Sequence, residues 1–535
     1  MLATNSPSAG VYTVENDRSQ RIRAASTSIG AIIGASNRGP VMEPTLVFDN
    51  EEFRKKFGKK DPKVGFMHYC AEAFLEESRL QVIRVALDTK YGGTFITTDT
   101  NFSKPRALPA GLDSPDLVNF DPNDILFIHA ADPGEWNNDI RIVWYPDVND
   151  PEGQAFYIQV YEGSTGIASE VWHCTTHEKV NGNGQQMFVE DVINEGSSLI
   201  RVRLNENHPA FANNPEPNLI NAVGESTLTG GDNGLPFSLG EPRYVAACLQ
   251  AWELFSDWEQ IDVNILINGG LSIPSIQLKM DEICMRRQDC IAVLDVPSNK
   301  QDPVEAVEYR RNTLNLNSSL SAMYTPDIQI RDTDNGRDQF VPPSGHVAAR
   351  YAYTDNNFAS WFAPGGLTRG KMPSAIGLRH NYKLQHRNIL TENQVNSVIS
   401  IEGNGINIWN ADTLYAVKSA LNDIGIRRML CFLHASVRIN NLFAVFEPND
   451  SILRSRQRTS IEALLDPILR GRGLYWYQVI CDERNNKPET IDNGDLIVDV
   501  YLDPVRYAKR IHLSAIIPRT GQIDFAEQLI NNANG

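Results

Sequence analysis

Residues 245–255 read VAACLQAWELF, 262–269 DVNILING, 275–289 SIQLKMDEICMRRQD and 290–297 CIAVLDVP. In the first and third pieces the apolar residues return at the spacing of one helix face. The second and fourth are apolar runs of strand length, stopped by Asn-Gly or by Pro. Helix, strand, helix and strand in succession predict an α/β layer. The same order stands far upstream, where SIGAIIGA (28–35) reads as a buried strand and QVIRVAL (81–87) as another. Between them FMHYCAEAFLEES (66–78) reads as a helix with Phe66, Tyr69, Ala73 and Phe74 on its apolar side. Residues 26–98 and 236–376 are therefore expected to form one split α/β core.

Between these halves, residues 99–235 change character. DILFIHA, IRIVWYP, AFYIQVYE, EVWHCTTH and SSLIRVRL are short β-prone runs separated by Gly, Asn, Asp and Pro clusters. They predict an inserted, β-rich domain that ends near the turn cluster STLTGGDNGLP. Further on, DIQIRDTDNGRDQFVPPSGH reads as a hairpin and loop. Residues 377–505 read as a C-terminal α+β domain, with IRRMLCFLHASV, the amphipathic SILRSRQRTSIEALLDPILR, and strands in WYQVICD and LIVDVYLDP. Asn449 and Asp450 are expected to cap the amphipathic helix, and Pro467 to end or kink it.

Two strand-like runs have no hairpin partner in sequence. One is Val11, Tyr12, Thr13 and Val14, within an N-terminal arm of residues 1–25. The other is Ile511, His512, Leu513, Ser514, Ala515, Ile516 and Ile517, within a C-terminal arm and tail of residues 506–535. Lone strands carry N–H and C=O groups that must find a sheet elsewhere.

The length of 535 residues predicts several domains at about 100–200 residues each. Hydrophobic residues at 41% and charged residues at 21% are enough for sizeable cores. With 66 acidic and 49 basic residues, the formal charge is −17, which opposes adhesion to nucleic acid or anionic lipid, so no direct nucleic-acid contact is expected. Residues 1–20 lack the pattern of a signal peptide, and no run of about 18 apolar residues exists, so membrane insertion is not expected and folding in a cytoplasm is. The cysteines, Cys70, Cys174, Cys248, Cys284, Cys290, Cys431 and Cys481, are scattered without a CxxC pair. They are expected to be reduced packing residues.

Four segments, in order, resemble contractile tail sheath proteins of the myovirus type. The first is GVYTVENDRSQRIRAASTSIGAIIGASNRGPVMEPTLV (10–47), followed by EEFRKKFG. The second is PGEWNNDIRI (133–142), and the third is FVPPSGHVAARYAYTDNNFASWFAPGG (340–366). The fourth comprises GNGINIWNADTL, IRRMLCFLHASV, FAVFEPND and VICDERNNKPETIDNGDLIVDV, from 403 to 500.

The resemblance implies a structural subunit, with no enzymatic activity and no cofactor. Such a subunit polymerises with itself into a helical sheath of stacked hexameric rings around a tail tube protein. It meets baseplate and tail terminator proteins, and contracts to drive the tube through the host envelope. Its place is the virion, after assembly in the host cytoplasm. A sheath subunit of a non-phage contractile injection system or tailocin is the alternative that the same motifs allow. The resemblance further implies that arms from both chain ends complete the small sheet in the C-terminal domain of neighbouring subunits. That role falls to Val11–Val14 and Ile511–Ile517, with Ser6, Pro7, Gly10 and residues 503–509 as hinges. In the amphipathic helix Arg454 and Arg458 stand at i, i+4 with Arg456 nearby. They read equally as a patch for an acidic tube surface or as a solvated face paired with the chain's own carboxylates.

Residues that invite an enzymatic reading do not sustain one. His173 and His177 have the i, i+4 offset of a zinc pair, with His129 as a third member. In a strand, however, that offset separates them by about 13 Å. GNGIN lacks the rest of a phosphate-loop fingerprint and reads as a tight turn, and no GxxxxGK[ST] loop occurs. Ser344 and His346 stand close without a nucleophile elbow. Cys284 and Cys290 have no companion ligands, and Trp136 and Trp361 read as packing anchors. No catalytic, cofactor-binding or metal residue is assigned.

Overall fold

The strand Gly30–Gly34 is buried along its whole length and lies inside an eight-stranded sheet. Its glycines admit close packing: a Cβ on Gly30 would meet the Phe74 ring at 2.7 Å, and one on Gly34 would meet Cβ of Met67 at 2.7 Å. The structure is a computed structural model, and it describes residues 28–509 apart from 100–101, 109, 151–152, 164–165, 181–183 and 213–218. Val11–Val14 and Ile511–Ile517 lie outside the described residues.

The sheet runs Gly405–Ile408, Val395–Ile401, Ser321–Thr325, Ile291–Asp295, Ile265–Ile267, Gly30–Gly34, Leu80–Arg84 and Thr45–Val47. Its inner strands are parallel and its two edge strands antiparallel. Ala31, Ile33, Leu266, Ala292 and Leu294 pack in one core with Cys248, Trp252, Met280 and Ile283, from the helices Pro242–Glu253 and Pro274–Arg287. Ile32, Val82, Ile265, Ile267 and Val293 pack in another with Tyr69, Phe74, Val347 and Tyr351, from the helices Met67–Leu75 and Ser344–Asn357. Burial on both faces is why these strands read as unbroken apolar runs. Both halves of the expected core thus contribute to one α/β sheet.

Two of the sheet's strands come from the stretch assigned on sequence to the C-terminal domain. Val395–Ile401 pairs with Ser321–Thr325, so the sheet does not stop at 376. VNSVISI conceals its burial behind Asn396, whose side chain bonds the carbonyls of Met323 (3.2 Å) and Asp412 (2.7 Å).

The PPSGH segment opens the helix Ser344–Asn357 and fastens it to the sheet. Asp295, fully buried, accepts the Ser344 N–H (2.8 Å), the Ser344 hydroxyl (2.6 Å) and the Gly270 N–H (3.1 Å). Burial pushes its carboxyl up to about 7. Gly345 is required by contact, since a Cβ there would lie 2.4 Å from Cα of Cys70.

The insertion contains two four-stranded antiparallel sheets. One is ordered Ile200–Leu204, Asp124–Ala130, Gly93–Asp99 and Phe102–Ala107; the other Gly224–Thr227, Ile140–Pro146, Phe156–Glu162 and Glu170–Cys174. Ile128, Val202, Trp144 and Ile158 meet in the core between them. Gly93–Asp99, read on sequence as mostly core, already belongs here. Arg84 ties the two domains together: from the core sheet it donates to the carbonyls of Ser36 (2.8 Å), Gly39 (2.7 Å) and Pro133 (2.7 Å). In the PGEW motif that follows, Gly134 takes φ +147° and a Cβ there would meet the Asn37 carbonyl at 2.7 Å, so the position favours glycine.

The hairpin expected after Pro326 is formed by Ile328–Asp332 and Arg337–Val341, and Ala375–Leu378 adds a third strand. The last unit packs the helices Ile424–Asn441 and Ser451–Arg470 on an antiparallel pair, Leu474–Ile480 and Asp499–Pro504. Asp450 caps the second helix by accepting the Leu453 N–H at 2.7 Å, as expected. Pro467 does not end that helix, which continues to Arg470. So close to the C-terminus its missing N–H costs one bond. The carbonyls of Pro467 and Ile468 are taken by the N–H groups of Gly471 and Gly473, each at 2.8 Å.

All seven cysteines are buried and free, consistent with packing roles. Among the described residues no helix is long and apolar enough to cross a membrane.

Candidate assembly surface

In the terminal pair Leu474 and Val479 turn inward onto Ile461, Leu465 and Ile468, while Tyr475, Trp476, Val500 and Tyr501 remain exposed. The register sets Tyr477 opposite Leu502 and Val479 opposite Val500. Among the described residues each strand pairs only with the other, so each has an outer edge of unpaired N–H and C=O groups. A two-stranded sheet with aromatic flanks and two open edges is a template for further strands.

Trp361 holds this unit to the body of the chain. Its indole N–H donates to the Gly471 carbonyl at 2.8 Å. A Cβ on Gly471 or Gly473 would meet its side chain at 2.7 and 2.9 Å. The packing-anchor reading of this residue holds.

The segment following the sheet departs from expectation. Residues 503–509 are expected to act as a hinge, yet Asp503 and Pro504 are in the strand and the rest is held on the body. Val505 N–H donates to the Gly473 carbonyl (3.0 Å), and Tyr507 packs so closely on Gly425 that a Cβ there would lie 1.9 Å from its hydroxyl. Lys509 Nζ meets Asp412 at 2.6 Å and Asp423 at 2.5 Å. Burial lowers its basicity, but the two carboxylates outweigh burial and its pKa is raised. The sequence signal was the Tyr507 and Lys509 pair, but its partner Asp412 lies 97 residues away.

The three arginines of the amphipathic helix do not form one face. Arg454 is buried, with Nη1 3.2 Å from the Asn449 side-chain oxygen. It lines a cavity of about 390 Å³ with Arg458, Cys481 and Arg484. Arg458 faces Glu462 at 3.7 Å, and Arg456 is exposed on the other side of the helix.

The remaining candidates are dispersed. His129 is buried in one sheet of the insertion and bonds the Ala130 carbonyl, and burial lowers its pKa to about 4. His173 belongs to the other sheet, stacked on Tyr157 and paired with Asp147 at 3.1 Å, while His177 lies beyond the strand's end. Ser344 is engaged by Asp295, and His346 is buried in the helix it starts. GNGIN forms a tight turn, with Gly403 and Gly405 at φ +77° and +78°. Trp136 carries the Arg38 guanidinium over its ring at 4.2 Å.

Residues 243–414 match the family model for the phage tail sheath protein central domain. This chain is similar in sequence to contractile tail sheath proteins. It is 27% identical over 299 residues to the tail sheath protein of Enterobacteria phage T4, covering 52% of this chain and 45% of that one. It is 24% identical over 452 residues to the tail sheath protein of Vibrio phage KVP40, covering 77% of this chain and 64% of that one. The chain thus spans less than two thirds of either sheath protein. In fold it is similar to the crystal structure of a sheath tail protein from Listeria innocua, with a TM-score of 0.56 at 12% identity, covering 91% of this chain and 97% of the other. The matched sheath domain contains the Asp295 and Ser344 contact and most of the parallel sheet.

Proposed function

We propose that this chain is a structural subunit of a contractile tail sheath, polymerising helically around a tail tube and contracting to drive the tube through a host envelope. The observation that carries this reading is the pair of open edges on the Leu474–Ile480 and Asp499–Pro504 sheet. Val11–Val14 and Ile511–Ile517 are the strands assigned to complete that sheet in neighbouring subunits. Each added main-chain hydrogen bond contributes roughly 0.5–1.5 kcal/mol net, and alternate side chains fix the register. Because donor and acceptor surfaces differ, the contact is heterologous and extends into a helical lattice.

In this role the chain is structural and not enzymatic, and takes no cofactor. Its partners are further copies of itself in stacked hexameric rings, a tail tube protein, and baseplate and tail terminator proteins. It makes no direct contact with nucleic acid and does not insert into membrane. It belongs to a virion assembled in the host cytoplasm. Contraction draws on a metastable lattice whose rigid bodies rotate while the strand links persist. Arg454, Arg456 and Arg458 are the candidate tube-facing cations, of which Arg456 is the exposed one. Deleting residues 1–16 is expected to leave a folded monomer that does not polymerise; normal sheath formation by that truncation contradicts the reading.

A further inference from the structure

We propose that a basic cleft between the core and the inserted domain is a docking site for the acidic turn around Glu489–Asp495 of a second copy of this chain. The proposal rests on the sheath reading and specifies one of its contacts. The cleft has a volume of about 720 Å³ and is lined by Arg38, Arg54, Lys59, Lys60, Lys63 and Arg337, against only Asp61 and Glu162. On a chain with a formal charge of −17, so many cations in one cleft run against the overall balance.

Half of these cations are occupied in building the walls. Arg38 is held by Glu162 at 2.5 Å, Arg54 by Glu72 at 2.9 Å and Asp334 at 3.4 Å, and Lys60 by Glu72 at 2.6 Å. Lys59, Lys63 and Arg337 are exposed and form no ion pair among the described residues. Lys59 and Lys63 come from the loop between the helices Asn50–Phe57 and Met67–Leu75, and Arg337 from the Ile328–Val341 hairpin, so the fold converges them on one opening.

The acidic turn carries the opposite pattern. In the C-terminal unit the segment Pro488–Asp492 and the turn after it expose Glu489, Asp492 and Asp495, none of which forms an ion pair among the described residues. The turn is fixed by Gly494 at φ +81° and by the Asp495 N–H on the Thr490 carbonyl at 3.0 Å. Three unpaired carboxylates on a formed turn complement three unpaired cations on a formed cleft. Within one chain the two sets do not meet. Between copies the contact is heterologous, as lattice growth requires, and its solvated charges make it salt-sensitive.

The test uses the full-length chain with Lys59→Glu, Lys63→Glu and Arg337→Glu together, and a partner variant with Glu489→Lys, Asp492→Lys and Asp495→Lys. Sedimentation of polymer against protein concentration is expected to show each variant needing about tenfold more protein than the unaltered chain. Combining both sets in one chain is expected to restore assembly. Carbodiimide treatment of unaltered polymer made from light and heavy isotope-labelled copies is expected to link Lys59 or Lys63 to Glu489, Asp492 or Asp495 across copies. This second readout needs no variant to fold. Normal polymer from the cleft variant, together with no such link in the unaltered polymer, overturns the proposal and leaves the sheath reading standing. An unaltered chain that never polymerises overturns both.

Discussion

Trp361 donates its indole N–H to the Gly471 carbonyl at 2.8 Å, across 110 residues of chain, and joins the segment after the helix Ser344–Asn357 to the loop before the terminal sheet. Trp361→Phe removes that donor and opens space beside Gly471 and Gly473. A loss of about 1–3 kcal/mol is expected in the C-terminal unit. Native-state hydrogen exchange is the measurement: the amides of Leu474–Ile480 should exchange faster while those of Ile291–Asp295 keep their protection.

Lys509→Met leaves Asp412 and Asp423 without their shared cation and releases the segment that Tyr507 and Lys509 hold. Faster exchange is expected at Val505 and the residues after it, with the core sheet unchanged. Equal protection in both proteins would mean that Tyr507 alone holds the segment.

Asp295 gives a stability signature with a definite sign. Burial raises its folded pKa to about 7, above the ordinary aspartate value of about 3.9, so the fold favours the protonated acid. That contribution is complete below the unfolded pKa and is lost as pH rises through the folded one. The stability of the unaltered protein relative to Asp295→Asn should therefore fall between about pH 4 and pH 7. Paired denaturant titrations at several pH values read it, and a flat difference would place the Asp295 carboxyl in the ordinary range.

The arginines of the helix Ser451–Arg470 are separable. Arg454→Glu should destabilise the monomer, because the new carboxylate is buried beside Asn449. Arg456→Glu with Arg458→Glu should leave the melting transition nearly unchanged and weaken co-assembly with a tube protein. If the double variant pulls down tube protein as well as the unaltered chain does, the tube-facing assignment is wrong.

Periodicity revealed most of the α/β core, because strands such as Gly30–Gly34 and Ile291–Asp295 are buried on both faces and have little but apolar residues to show. It missed Val395–Ile401 because Asn396 satisfies two backbone carbonyls from inside the sheet, a polar residue acting as core. Arg84 was invisible for the same reason: fully buried, it spends its donors on the carbonyls of Ser36, Gly39 and Pro133. Pro467 reads as an end or a kink because propensity is local, whereas the Gly471 and Gly473 bonds that carry the helix past it depend on the turn beyond. Of the assembly surface, the strands were legible. Their open edges and the docking of Tyr507 and Lys509 were not, since an edge is defined by what fails to pair and an anchor by partners distant in sequence.

Polymerisation tests the sheath role most directly. Negative-stain microscopy of the purified full-length chain, taken through a concentration series, should show hollow tubes of uniform diameter. A chain that remains a folded monomer at every concentration, alone and with tube protein present, would contradict it.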